Sequence, residues 1–71
     1  MREIIVSKPY RHFKGSTHKV IAIAKHSETL ENLVIYTHGE EIWARPYDMF
    51  ASEVDHEKYP DIKQKYRFEE I

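Results

Sequence analysis

The stretch LVIYTHGEEIWARP, residues 33–46, decides the fold. Two runs rich in β-branched and aromatic residues, Leu33 to Thr37 and Ile42 to Pro46, flank the polar segment HGEE. Each run has the length and composition of a strand. Gly39 supplies the positive φ that a tight hairpin requires, and His38 tolerates it better than most residues. Upstream, Thr17 to Lys25 is a third run of this kind, set off by HSETLEN (26–32). Three such runs with turn chemistry between them read as an antiparallel β-meander.

Working outward, YRHF (10–13) begins a strand that Gly15 ends. After Pro46, YDMF (47–50) is too short for a helix of its own and suits a single 3₁₀ turn. A short strand is expected around Ser52 to Val54. DIKQKY (61–66) reads as a helical turn capped by Asp61, and YRFEEI (66–71) alternates like a final strand. Short strands with one 3₁₀ turn before the last predict a mostly β fold with little helix, a small SH3-like antiparallel barrel spanning residues 1–71.

The chain of 71 residues forms one domain. At this size only about 60% of the unfolded surface is buried, so stability is modest. Without cysteine there is no disulfide framework and no thiolate zinc site. Stability then rests on dense packing or on a partner surface. No apolar run approaches the roughly 20 residues that span a bilayer, and no signal peptide follows Met1. A soluble cytoplasmic protein without membrane contact is expected. A net charge of −1 excludes a generally cationic DNA-coating protein. The charge is uneven, however. Ser7 to Lys25 holds five basic residues (Lys8, Arg11, Lys14, Lys19, Lys25) and no acid, while the rest carries all 12 carboxylates and sums to −6. Such asymmetry marks an anionic-partner surface or pairing between the two halves of the chain.

YRHFKG (10–15), AKHSETLENLVIY (24–36), IWARPYDMF (42–50) and YPDIKQKYRF (59–68) occur in this order in the bacterial domain of unknown function 1653. The chain resembles that family from Tyr10 to Phe68. It departs in having only THGEE where the family typically has a longer Leu-Tyr-Gly connection before the tryptophan strand. It also has His18 where tyrosine is usual. The resemblance implies a small, free-standing soluble protein and supplies no activity.

Strand arithmetic divides the residues between two faces. If HSETLEN is a seven-residue loop, Lys25 lies opposite Leu33. If the next turn has two central residues, Tyr36 lies opposite Trp43 or Glu41, and a slip of two preserves the face. One face then carries Ile21, Ile23, Leu33, Ile35, Ile42 and Ala44. The other carries His18, Val20, Ala22, Ala24, Val34, Tyr36, Trp43 and Arg45. The first is nearly pure aliphatic, and fully burying a Leu or Ile contributes about 1.5–3 kcal/mol, so it is the expected core. The second sets small alanines among aromatics and an arginine, as a shallow pocket does, unless Phe13, Phe50 and Phe68 cover it as a second layer.

HSET (26–29) invites a catalytic reading. Nucleophilic catalysis needs a base within reach of the hydroxyl, itself oriented by a third group. On a strand, His26 and Ser27 point to opposite faces, and no glycine elbow presents the serine. The stretch reads as a hairpin loop whose Ser27 and Thr29 hydroxyls bond the loop backbone. His18 and His26 are about 26 Å apart along a strand and cannot share an ion. His18 and His38 fall at one end of one face, where Glu40 could add an oxygen ligand. Two histidines on opposing strand ends nonetheless read as solvated, and no metal, cofactor or catalytic residue is assigned.

Arg45 precedes proline and is therefore extended, beside Trp43. It can stack on the indole or meet a carboxylate or phosphate bidentately, or pair internally with Glu28 or Asp48. In YRHFKG, alternation sends Phe13 toward the core and Tyr10 to its rim, and leaves Arg11 and Lys14 for solvent. The leading expectation is a non-enzymatic binding module engaging a peptide or protein segment over Tyr36, Trp43 and Arg45, with Tyr10 and His18 at the margin. The alternative is single-stranded nucleic-acid binding along Arg11, Lys14, Lys19 and Lys25, with aromatics as stacking platforms. A third reading is an enzyme or metalloprotein built on His26/Glu28 or His18/His38.

Overall fold

The structure, a computed structural model, describes residues 3–71. The expected runs form β1 (Pro9–His12), β2 (Thr17–Lys25), β3 (Asn32–His38) and β4 (Glu41–Pro46). A helical turn α1 (Tyr47–Phe50) and the late strand β5 (Phe68–Glu70) follow. They make one five-stranded antiparallel sheet in the order β4-β3-β2-β1-β5. Among the described residues β4 and β5 do not pair, so the sheet is open. Its two edges are nonetheless drawn together on one side. In a flat sheet they would stand about 19 Å apart, yet the Arg45 guanidinium carbon lies 5.5 Å from the Phe68 ring. The sheet coils around a concave face.

The β3–β4 hairpin closes at His38↔Glu41, with Gly39 and Glu40 as its central residues. Gly39 has φ +62° and Glu40 is not left-handed, which is the type II′ arrangement that suits strand twist. The expected 3₁₀ turn is instead one α-turn, in which the Ala51 amide donates to the Tyr47 carbonyl at 2.9 Å. The strand at Ser52 to Val54 reduces to a single bridge, Glu53↔Tyr66. Asp61 starts no helix. The cap belongs to Asp55, whose Oδ1 accepts from the Glu57 and Lys58 amides at 3.1 and 3.3 Å.

The face arithmetic needs a correction in β2. The β2–β3 loop is one residue shorter than expected, so Lys25 lies opposite Asn32 rather than Leu33. That offset flips the parity of Ala22 to Lys25, and a bulge between Val20 and Ala22 restores it toward the strand's start. His18, Val20, Val34 and Tyr36 therefore share a face as expected. Ala22 and Ala24 join Leu33 and Ile35 on the other.

The direction of burial is also the reverse of the expectation. The core is the concave side, where Val20, Val34 and Tyr36 meet Ile4, Tyr10, Phe50 and Phe68. On the convex face Ile42 is exposed and Leu33 and Ile35 are half-buried; Ile21, at the bulge, is exposed, and so is Ile23, which the register places opposite Val34 on the concave side. The reason is volume. Aromatic side chains bury roughly 150–250 Å² each, and one each from β1, β3, α1 and β5 fills the concavity. The β-branched residues of the convex face stay outside because they suit a strand irrespective of burial.

Candidate functional site

The concave face continues past the core to the open edge of the sheet. Trp43 lies directly across from Tyr36, so its indole points to the core side. Because β4 is an edge, Trp43 is 39% exposed. His38, at the end of β3, stacks flat on it with ring centroids 3.7 Å apart and planes within 4°. His38 in turn stacks on His18 at 5.4 Å. Edge-on and tilted contacts carry the row onward, from His18 to His12 at 6.3 Å and from His12 to Phe13 at 4.5 Å. It ends at Tyr59, 5.1 Å from Phe13.

The chemistry of this row is fixed at His18, which is buried. Its Nδ1 lies 2.7 Å from the Thr37 carbonyl, which can only accept, so Nδ1 carries the proton. Its Nε2 lies 2.8 Å from Ser16 Oγ. Both nitrogens are thus engaged. His12 is different. Burial, then the positive charges of His18, Arg45, Lys14 and Arg67, hold its pKa well below the usual histidine value, at about 4. Its Nδ1 accepts the Lys14 amide at 3.2 Å, as a neutral ring does.

Of the residues expected to meet a partner, Trp43 and Arg45 lie side by side on β4. Arg45 is half-buried, with Nε donating to the Tyr36 hydroxyl at 3.3 Å and its guanidinium over Phe68. Tyr36 and Tyr10 are 2% exposed and His18 is 5% exposed; Tyr36 lies against Arg45, and His18 reaches Trp43 through His38, while Tyr10 belongs to the core rather than to the edge. Tyr10 donates to no partner surface; its hydroxyl accepts the Ile5 amide at 2.9 Å. Sequence reasoning missed His38 as the partner of the indole. The signal was available, because His38 and Trp43 fall on one face once the turn has two central residues.

The basic residues of the nucleic-acid reading, Arg11, Lys14, Lys19 and Lys25, are all exposed. Arg11 stands opposite Glu69 of β5, and Lys25 donates to Asn32 Oδ1 at 3.2 Å. Lys14 and Lys25 sit at opposite ends of β2. The HSET stretch is a loop in which, as expected, the Thr29 hydroxyl accepts a loop amide, that of Glu31, at 3.3 Å, while His26 Nδ1 accepts the Glu28 and Thr29 amides at 3.1 and 3.3 Å. Among the described residues no three His, Cys, Asp or Glu side chains converge as metal ligands. No helix among them is long and apolar enough to cross a membrane.

A family model described as "Protein of unknown function (DUF1653)" matches residues 8–70. The chain belongs to this family. The match takes in every strand of the sheet and the whole Trp43–His38–His18 row. No curated protein matches the chain, and neither does any solved structure. For this DUF1653 chain, function must therefore be argued from the geometry of its own surface.

Proposed function

We propose that this protein is a non-enzymatic, cytoplasmic binding module, an SH3-like rolled sheet that takes up a peptide or protein segment beside β4. The half-exposed indole of Trp43 on an unpaired edge strand carries this reading. Among the described residues no strand pairs with the outer edge of β4, so its free backbone groups can accept an added strand. Trp43 is held rigid by His38, and Arg45 by Tyr36 and Phe68, so both are presented at little entropic cost. Tryptophan and arginine are the side chains that dominate binding hot spots. Tyr36 backs Arg45 directly and His18 backs Trp43 through His38, with Tyr10 and His18 at the margin of the proposed surface.

Selection of a random peptide library against the full chain tests the proposal. Enriched peptides should lose tenfold or more in affinity for Trp43→Ala, while the variant keeps its circular dichroism spectrum. Failure to enrich any peptide, or peptides indifferent to Trp43→Ala, would overturn it. The exposure of Arg11, Lys14, Lys19 and Lys25 favours single-stranded nucleic acid as the second reading. In that case affinity would fall steeply with salt, by a log–log slope of about −0.7 per neutralised phosphate.

A further inference from the structure

On the far side of β1 from the Trp43 edge, the β1–β2 turn and the turn at 55–59 enclose a cleft of about 270 Å³. Its cationic groups are Lys14, Lys58 and Arg67. Arg67 Nε is shielded from solvent and, among the described residues, has no hydrogen-bond partner. Leaving such a guanidinium donor unpaired is costly, so an acceptor beside Arg67 is favoured once the side chain turns Nε toward the cleft. Among the described residues the carboxylate lining the cleft is that of Asp55, whose Oδ1 accepts the Glu57 and Lys58 amides. Its single negative charge stands against the three cations Lys14, Lys58 and Arg67, so the lining stays net positive. The Lys14 and Lys58 ammonium groups lie 5.6 and 5.5 Å from the Tyr59 ring centre, which fixes both at the cleft. His12 adds a further donor, because Nδ1 accepts from the Lys14 amide and the ring proton therefore sits on Nε2.

From this geometry we infer that the cleft binds the phosphate group of a small phosphate monoester, with Lys14, Lys58 and Arg67 as its cationic clamp. Arginine offers the planar fork that phosphate oxygens accept, and the two lysines add point charges. The volume suits a compact ligand and lies just below the usual range for drug-sized pockets, about 300–1,000 Å³. Phe13 and Tyr59 would give the organic portion an aromatic wall. The site is separate from β4, so it stands or falls independently of peptide binding there.

The test is a ¹⁵N NMR titration of the full chain with inorganic phosphate, with sodium chloride matched for ionic strength and a short oligothymidylate in parallel arms. Saturable phosphate shifts should appear at His12 to Gly15, Lys58, Tyr59 and the Arg67 Nε–H, with none from chloride. The double variant Lys14→Gln/Lys58→Gln replaces exposed side chains and should weaken phosphate at least tenfold with the sheet resonances unmoved. Arg67→Lys should weaken it even if the fold is retained in full. Linear, unsaturated shifts, or phosphate affinity unchanged in the double variant, would overturn the inference. So would shifts with the oligonucleotide alone that run along Lys19 and Lys25.

Discussion

His12 shows how one side chain can report on its surroundings. Its ring lies against Phe13 and Phe68, at 4.5 and 4.8 Å, and burial with the neighbouring cations lowers its pKa from 6.5 to about 4. The folded value is below the unfolded one, so the unfolded chain takes up the proton first. Stability contributed by the neutral ring is therefore complete above about pH 6.5 and is lost as pH falls through about 4. The His12 C2–H resonance should titrate near pH 4. Carboxylates titrate in the same range, so the difference in melting temperature between wild type and His12→Gln isolates the effect. That difference should move against the wild type between pH 6.5 and 4. A constant difference across this window, or a midpoint near 6.5, would show that the ring is solvated.

Among the elements, the β3–β4 hairpin was the most legible, because one glycine between two strand-forming runs sets both its position and its register. An added Cβ at Gly39 meets nothing within 4 Å, so only the backbone resists substitution. Gly39→Ala should cost about 1–2 kcal/mol, the penalty of a left-handed L-residue. Gly39→Asn should cost distinctly less, since asparagine tolerates that region. Urea melts of the two variants give the comparison, and an alanine variant as stable as wild type would mean the turn does not need positive φ. The β2–β3 connection was not legible in the same way. Leu30 adopts φ +63° with no residue preference to announce it, and His26 joins the expected Thr29 hydroxyl in organising the loop. The bulge at Ile21 was equally hidden. Nearby, the Lys19 amide donates to the Thr37 hydroxyl at 2.9 Å, and the Ser7 amide donates to the Val20 carbonyl at 2.8 Å. Those partners are distant in sequence and flank the bulge where the parity of the strand changes. Because Tyr36, Trp43 and Arg45 depend only on the legible hairpin, their common face could be read. The burial of Tyr36 could not.

At the scale of the molecule, the core forms where rings from remote parts of the chain converge. Phe50 and Phe68 stack at 4.0 Å, and Tyr36 lies 5.4 and 5.7 Å from them. Tyr10 meets Phe50 edge-on at 5.6 Å. Arithmetic on three neighbouring strands could not show that α1 and β5 bring two phenylalanines onto the tyrosine side. It therefore favoured the aliphatic face. The distinction can be measured. A folded chain of 71 residues is stable by only about 4–10 kcal/mol. Phe68 is fully buried, so Phe68→Ala should remove about 3–5 kcal/mol, much of the total, and broaden or abolish the cooperative melt. Phe68→Leu keeps most of the volume and should remain folded, which allows the loss to be quantified. Ile42, at 60% exposure on the convex face, should lose no more than about 0.5 kcal/mol on replacement by alanine. If Ile42→Ala proved the more damaging in urea melts, the convex face would be buried against something, and the sheet would have its core on the other side.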